Sequence, residues 1–234
     1  KSILHWLLDS IDSKKEKLLE KDILVLSSKI VSYFEGNIIA LNTIKFSSAA
    51  KKMGKAMNAD PALIQLALNE SDEVIAVTPW VLLTKKNGIF SANAGVDLSN
   101  VPNGYAVKWP KEPFESARKI QSFLQKKFNK KKLAVLIIDS FCIPGRKGTI
   151  ACAIGFSGMM GYQDLKGQKD LYGNVLRYSA LNIVDSLATA ANLIMGESSE
   201  STPLAIIRGF KYQTKTSIDE HEMLISKKDE MYSL

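Results

Sequence analysis

The chain has 234 residues, 46% of them hydrophobic and 24% charged, and carries a formal net charge of +7. That length supports one large domain or two small ones with a substantial core, and the composition is ordinary for a soluble protein. No apolar run reaches the roughly 18 residues that a membrane span needs. Much of the positive charge sits in short runs (Lys14-Lys15, Lys51-Lys52, Lys126-Lys127, Lys130 to Lys132) without interleaved aromatic residues, so neither a membrane nor a nucleic acid is the expected partner. An anionic small molecule would exploit the same positive field.

Ile3, Leu4, Leu7, Leu8, Ile11 and Leu18 recur at helical spacing and predict an amphipathic first helix. Charges interrupt this segment and no small-residue cleavage site follows it, so it does not read as an export signal, and the cytoplasm is the expected compartment. Ile23 to Leu26 reads as a short strand, followed by a polar turn at Ser27-Ser28-Lys29, and 38–41 as a second strand. Residues 47–57 and 61–69 read as helices, the latter with Asp60 as N-cap and Pro61 at its first position. Glu73 to Leu83 reads as strand, Lys85-Lys86-Asn87-Gly88 as a hairpin turn and Ile89 to Ala94 as the returning strand. A polar loop over 93–103 leads on to a helix over 114–128, whose aromatic residues, like Trp80 and Trp109, are assigned to the core.

The run Leu133 to Ile138 predicts a buried strand that ends at Asp139-Ser140, with a loop over 139–149 and another strand at Ile150 to Ile154. Five glycines mark 155–173 as a long loop, and Asn174 to Met195 is the strongest helical segment, closed by Gly196. Leu204 to Ile207 is a last strand. Helices and strands mix without regular βαβ alternation, so the predicted fold class is α+β, with mixed or antiparallel sheets and packed helices. The expectation is a single region over 1–234, with two lobes meeting near 95–145 as an open alternative and a peripheral tail over 212–234.

Cys142 and Cys152 form no CxxC pair, and with only His5 and His221 available a zinc site is not expected. Free thiols in a reducing compartment fit best. Cys142 reads as a loop thiol rather than a nucleophile, since no histidine lies nearby in sequence to activate it. The chemistry concentrates instead in hydroxyl- and acid-rich loops after predicted strands and after the long helix. These are Ser27-Ser28-Lys29, Gly95 to Asn100, Asp139-Ser140 and Gly196 to Ser201. Asp97, Asp139 and Glu197, with Ser140, are the oxygen donors a hard cation takes alongside substrate phosphate, and Lys29 and Arg146 are candidate phosphate contacts. An Asx-turn at Asp97 is an equal alternative to its metal role. Asp185 reads as a partnered acid or a subunit contact rather than a catalytic one.

Five segments occur in an order that resembles the coenzyme F420-0:γ-glutamyl ligase family: SSKIVSYFEG, ANAGVDLSNVP, DSF-x-x-P-x-R-x-G, AIGFSG-x₅-DLKGQKDLYG and NLIMGESSESTPLAIIRGF. The resemblance spans roughly residues 20–210. It implies a cytoplasmic, homodimeric γ-glutamyl ligase with that family's fold, which adds L-glutamate to a carboxylate acceptor such as coenzyme F420-0. It also implies GTP (or ATP) as co-substrate, Mg²⁺ or Mn²⁺ as metal, and an acyl phosphate intermediate. By the same resemblance Asp97, Asp139 and Ser140 are implied metal ligands, and Glu197 a ligand of a second metal. Ser28, Lys29, Asn100 and the loop Met195 to Thr202, including Gly196, Ser198 and Ser199, form the implied nucleotide site. Asp139 and Arg146 are the residues assigned to catalysis. Tyr33 stands where the family usually has lysine, and Cys142 to Ala151 departs most from its pattern. A folate-type acceptor, or a homologue that binds nucleotide and metal without turnover, are the alternative readings.

Overall fold

A computed structural model describes residues 2–226, 228 and 229. The chain opens with α1 (Ile3–Ser13), then β1 (Ile23–Ser27), which passes straight into α2 (Ser28–Phe34), and then β2 (Ile38–Ala40). The helices α3 (Ser48–Met57) and α4 (Pro61–Glu70) precede the meander β3 (Glu73–Val77), β4 (Leu82–Lys86) and β5 (Ile89–Ala92). Next come β6 (Tyr105–Val107), α5 (Pro113–Phe128) and the long strands β7 (Ala134–Cys142) and β8 (Thr149–Ser157). The chain ends with β9 (Tyr162–Asp164), β10 (Ala180–Asn182), α6 (Ile183–Met195) and β11 (Leu204–Ile207).

The central sheet has the order β11-β1-β7-β8. β1 runs parallel to β7, and the pairs β1/β11 and β7/β8 are antiparallel. The sheet is therefore mixed, as the α+β expectation required. Alternate residues of β1 and β7 serve two cores. Ile23, Val25, Leu136 and Ile138 pack with Val184, Leu187, Ala188 and Ala191 of α6. Leu24, Leu26, Val135 and Ile137 pack with Leu7 and Ile11 of α1 and with Ala117, Ile120 and Leu124 of α5. This period-two division follows from the pleat, and it explains why both strands read as unbroken apolar runs. A third cluster gathers residues between 41 and 106, chiefly from α3 and α4 with Leu82, Val96 and Ala106.

Several sequence expectations need correction. The first helix stops at Ser13, and Leu18 reaches the core from the segment after it. Ser27-Ser28-Lys29 is not a turn: the Ser27 hydroxyl accepts from the Ile30 N–H and caps α2. The single strand expected over 73–83 is two strands. The Thr78 hydroxyl donates to the Val81 carbonyl (2.7 Å) and accepts from its N–H (3.0 Å), closing a turn around Pro79. That turn leaves Trp80 88% exposed, not in the core. The strand before Asp139 does not end there, because the ladder with β8 continues to Cys142 opposite Thr149. The long helix begins at Ile183 rather than Asn174; residues 180–182 pair with β9 instead. The tail is not peripheral over its first part, since Tyr212 and Ile218 are buried in the α6-side core. The end of the tail, residues 230–234, lies outside the described residues.

Asn182 and Asp185 fix where α6 starts. The Asn182 side chain accepts from the Asp185 N–H (3.1 Å) and donates to the Asp185 carboxylate (2.6 Å), which also accepts from the Ala153 N–H of β8 (2.8 Å). Asp185 is thus a partnered acid that ties the helix to the sheet. Replacing Asn182 with Ala removes both the cap and this partner. It should cost about 0.5–2 kcal/mol, read as a lower urea midpoint at unchanged slope.

Candidate active site

Because β1 and β7 are parallel and Ser27 lies opposite Ile138, the next residues, Ser28 and Asp139, stand side by side near the carboxyl ends of the pair. Ligands commonly bind beyond such strand ends. The Ser28 hydroxyl donates to Asp139 Oδ1 at 2.7 Å, and the Trp109 indole N–H donates to Oδ2 at 2.6 Å. Asp139 is set deep in the wall of a cavity of about 450 Å³. Burial pushes its pKa above the usual carboxylate value; the two donors and the charge of Lys29 offset only part of this, and the Asp97 charge adds to it.

A second acid arrives on a strained loop. Asn93, Ala94 and Gly95 have φ values of 51, 53 and 72°, a left-handed run that costs a non-glycine residue about 1–2 kcal/mol. Side chains hold it: the Ala94 N–H donates to Thr84 Oγ1 at 2.8 Å, and the Leu82 N–H donates to Asn93 Oδ1 at 2.9 Å. Beyond this turn Asp97 bridges Val107 and meets Lys29, whose Nζ lies 2.6 Å from Asp97 Oδ2. Lys29 also donates to the Ser99 hydroxyl at 2.6 Å, and the Ser99 N–H donates to Asp97 Oδ1 at 2.8 Å. The Asx-turn, the equal alternative to a metal role at Asp97, is therefore present. Burial would raise the Asp97 pKa, but the Lys29 ammonium and the Ser99 donors outweigh it and hold the carboxyl below its usual range.

The third acid follows α6. Gly196 has φ of 81° and ψ of 173°, a conformation essentially confined to glycine, so the reversal after the helix requires it. Glu197 accepts from the Ser140 hydroxyl at 2.8 and 2.9 Å and from Asn192 Nδ2 at 2.6 Å. Asn100 Nδ2 donates to the Ser198 carbonyl at 2.9 Å and ties the Asp97 loop to the Glu197 loop.

Of the residues singled out in the sequence, Ser28, Lys29, Asn100, Asp139, Ser140, Met195, Gly196, Glu197 and Ser198 line the cavity. Asp97 joins them through its ion pair with Lys29. Ser199 and Arg146 are not among the lining residues, and Arg146 sits in the exposed turn between β7 and β8. Glu200, in the loop assigned to the nucleotide, also lines the cavity, whereas sequence reasoning missed Asn192 and above all Trp109. A buried tryptophan needs an acceptor for its N–H, which was a usable signal, but nothing in the sequence said which acceptor.

Among the described residues no three His, Cys, Asp or Glu side chains converge closely enough to hold a metal by themselves. The donor set nevertheless fits a hard divalent cation. Among the described lining residues Lys29 is the one cationic side chain, against Asp139, Glu197 and Glu200. Both Asp139 oxygens are held by neutral donors. Such a cation takes one or two carboxylates and completes its shell with oxygens from water or ligand phosphate.

In metal-free protein, a carboxyl that holds its proton more tightly folded than unfolded costs stability as pH rises. The loss begins near the unfolded value of about 3.9 and is complete above the raised folded value. Asp139→Asn should therefore melt higher than the native protein at neutral pH in chelator, with the difference vanishing in acid. Calorimetry at several pH values checks this, and an equal or lower Tm at neutral pH would contradict the raised pKa.

The F420-0:Gamma-glutamyl ligase family model matches residues 1–209. The chain is 38% identical over 211 residues to the coenzyme F420:L-glutamate ligase of Methanothermobacter thermautotrophicus, covering 90% of this chain and 83% of that protein. It is 40% identical over 189 residues to that of Methanocaldococcus jannaschii (80% and 75% covered), and 33% over 208 residues to that of Archaeoglobus fulgidus (89% and 83% covered). Matches of this extent, over a chain whose cavity is lined by four of the five segments that carry the resemblance, place the protein in the F420-0:gamma-glutamyl ligase family.

Proposed function

We propose that the protein is an amide-forming ligase that joins the amine of L-glutamate to a carboxylate of a coenzyme F420-0-type acceptor, using a nucleoside triphosphate, GTP or ATP. Family membership supports the ligase chemistry. The observation that carries the rest is Asp139, a deep-set carboxylate held by two neutral donors at the wall of a cavity that also presents Lys29, Asn100 and the 196–202 loop.

The reaction balances in two steps. An acceptor carboxylate oxygen attacks the terminal phosphorus and the nucleoside diphosphate leaves; the glutamate amine then attacks the acyl carbon, phosphate leaves and the nitrogen sheds a proton. Asp139, Asp97 and Ser140 would hold one Mg²⁺ or Mn²⁺ and Glu197 a second, which when bound would neutralise charge on the triphosphate. Lys29, whose ammonium lies between Asp97 and the cavity, binds phosphate and limits charge build-up on the transferred group. Ser28 and Trp109 fix the Asp139 carboxylate. Asn100 orients the Ser198 peptide, which together with Met195 and Gly196 forms one wall of the nucleotide site. The apolar wall of Ile30, Tyr33, Ile38 and Val101 suits a planar ring. A homodimer belongs to the same reading: Leu171, Tyr172 and Tyr178, between β9 and β10, and Leu193 and Ile194 of α6 are strongly exposed. Light scattering after gel filtration tests it.

Pure protein incubated with GTP or ATP, Mg²⁺ or Mn²⁺, glutamate and F420-0 should give a product heavier by one glutamyl residue, with one phosphate released per bond. A folate acceptor in a parallel arm reads out the alternative. Hydroxylamine in place of glutamate should trap the acyl phosphate as a hydroxamate. Lys29→Ala should lower kcat/KM by roughly 10²-fold. Absence of nucleotide-dependent product with every acceptor overturns the proposal.

A further inference from the structure

The Trp109 indole is the least expected partner in the site, and three observations define its place. Its N–H donates to Asp139 Oδ2 at 2.6 Å while the ring itself is 3% exposed. Its Nε1 edge lies so close to Gly95 that a Cβ there would fall 2.2 Å from Nε1 and 2.3 Å from Cε2. The Lys86 ammonium lies over the ring, 5.6 Å from its centroid, and Phe141 packs against it at 6.0 Å. Lys86 is itself anchored to Glu70 at 2.8 Å, which also holds Lys108 at 2.6 Å.

The contacts have distinct consequences. A carboxylate torsion is broad and roughly two-fold, so one donor leaves Asp139 free to swing. Ser28 on Oδ1 and Trp109 on Oδ2 fix its plane. Gly95 lies two residues before Asp97 in the strained turn that delivers that acid. The indole therefore meets both the Asp97 loop and Asp139 at its Nε1 edge. One rigid edge thus fixes Asp139 relative to the turn that delivers Asp97. A cation over the indole face draws electron density from the ring and strengthens the N–H as a donor. Lys86 thus acts on Asp139 through Trp109 without adding a charge to the cavity.

We propose that Trp109 is a positioning residue that holds the Asp139 carboxylate at a fixed angle and a fixed distance from the Asp97 loop, so that the two acids share a divalent cation. The proposal rests on the metal reading given under the proposed function. It also accounts for Gly95, because any side chain there would displace the indole.

Mn²⁺ alone is the probe, with free Mn²⁺ followed by electron paramagnetic resonance. Partners of this kind change metal affinity by about 10–100-fold. Trp109→Phe keeps an aromatic ring and deletes the N–H, and should weaken Mn²⁺ binding by about that factor while far-UV circular dichroism stays native. Gly95→Ala keeps the N–H but displaces the ring, and should weaken binding as well. In the Trp6→Phe/Trp80→Phe protein, Trp109 is the remaining tryptophan, and its fluorescence should be quenched as Mn²⁺ fills the site. Native protein and Trp109→Phe binding Mn²⁺ equally well would overturn the positioning role while leaving the metal reading intact. Native protein that binds no Mn²⁺ and shows no quenching would overturn the metal reading and the positioning role with it.

Discussion

The parallel hydrogen bonding of β1 to β7 is the constraint on which the site depends. Two strands running the same way bring their carboxyl ends together, and here that register places Ser28 beside Asp139. Parallel neighbours cannot be joined by a hairpin, so the chain from 28 to 133 must cross over. The protein uses that obligatory connection to build its third core from α3, α4 and their neighbours, and to deliver the Asp97 loop back to the same strand ends. The antiparallel partners complete the arrangement. β8 anchors α6 through Asp185, and the α6–β11 connection carries Glu197 to Ser140.

The electrostatics of the three acids differ by environment. Asp97 pairs with Lys29 and ionises readily, whereas Asp139 has only neutral donors and resists ionisation until a positive charge approaches. Glu197 is exposed and held by Ser140 and Asn192. A cavity with more carboxylates than cations would repel a triphosphate. Under the proposed function the nucleotide arrives with divalent metal, which offsets that repulsion.

The departures from the family pattern fall in different places. Cys142 lies at the exposed end of β7 and Arg146 in the turn beyond it, neither of them among the cavity-lining residues. Tyr33 does line the cavity, 60% exposed and edge-on to Phe34 at 5.4 Å. Of these residues Tyr33 is the one placed to touch a molecule held in the cavity.

The sequence by itself determined the elements whose signals are local. Asp60-Pro61 opens α4, Asn87-Gly88 turns with both φ values positive, Gly196 ends α6, and the apolar runs of β1 and β7 are core strands. Ordered motifs also made most cavity residues legible, because they lie in short contiguous segments after strands or after α6. Only the tertiary structure decided the contacts that join distant segments. Ser28 meets Asp139 across 111 positions, Trp109 meets Asp139 across 30, and Lys29 meets Ser99 across 70. Periodicity reports which face of an element is apolar, not which polar group waits there. For that reason Trp109 read as core, and the apolar stretch before Asn182 read as helix although pairing with β9 claims it. Asp139 was visible from the start as an acid near a strand end. Its two neutral donors, its raised pKa and the indole that ties it to the Asp97 loop exist only once the strands are paired and the crossover has folded back.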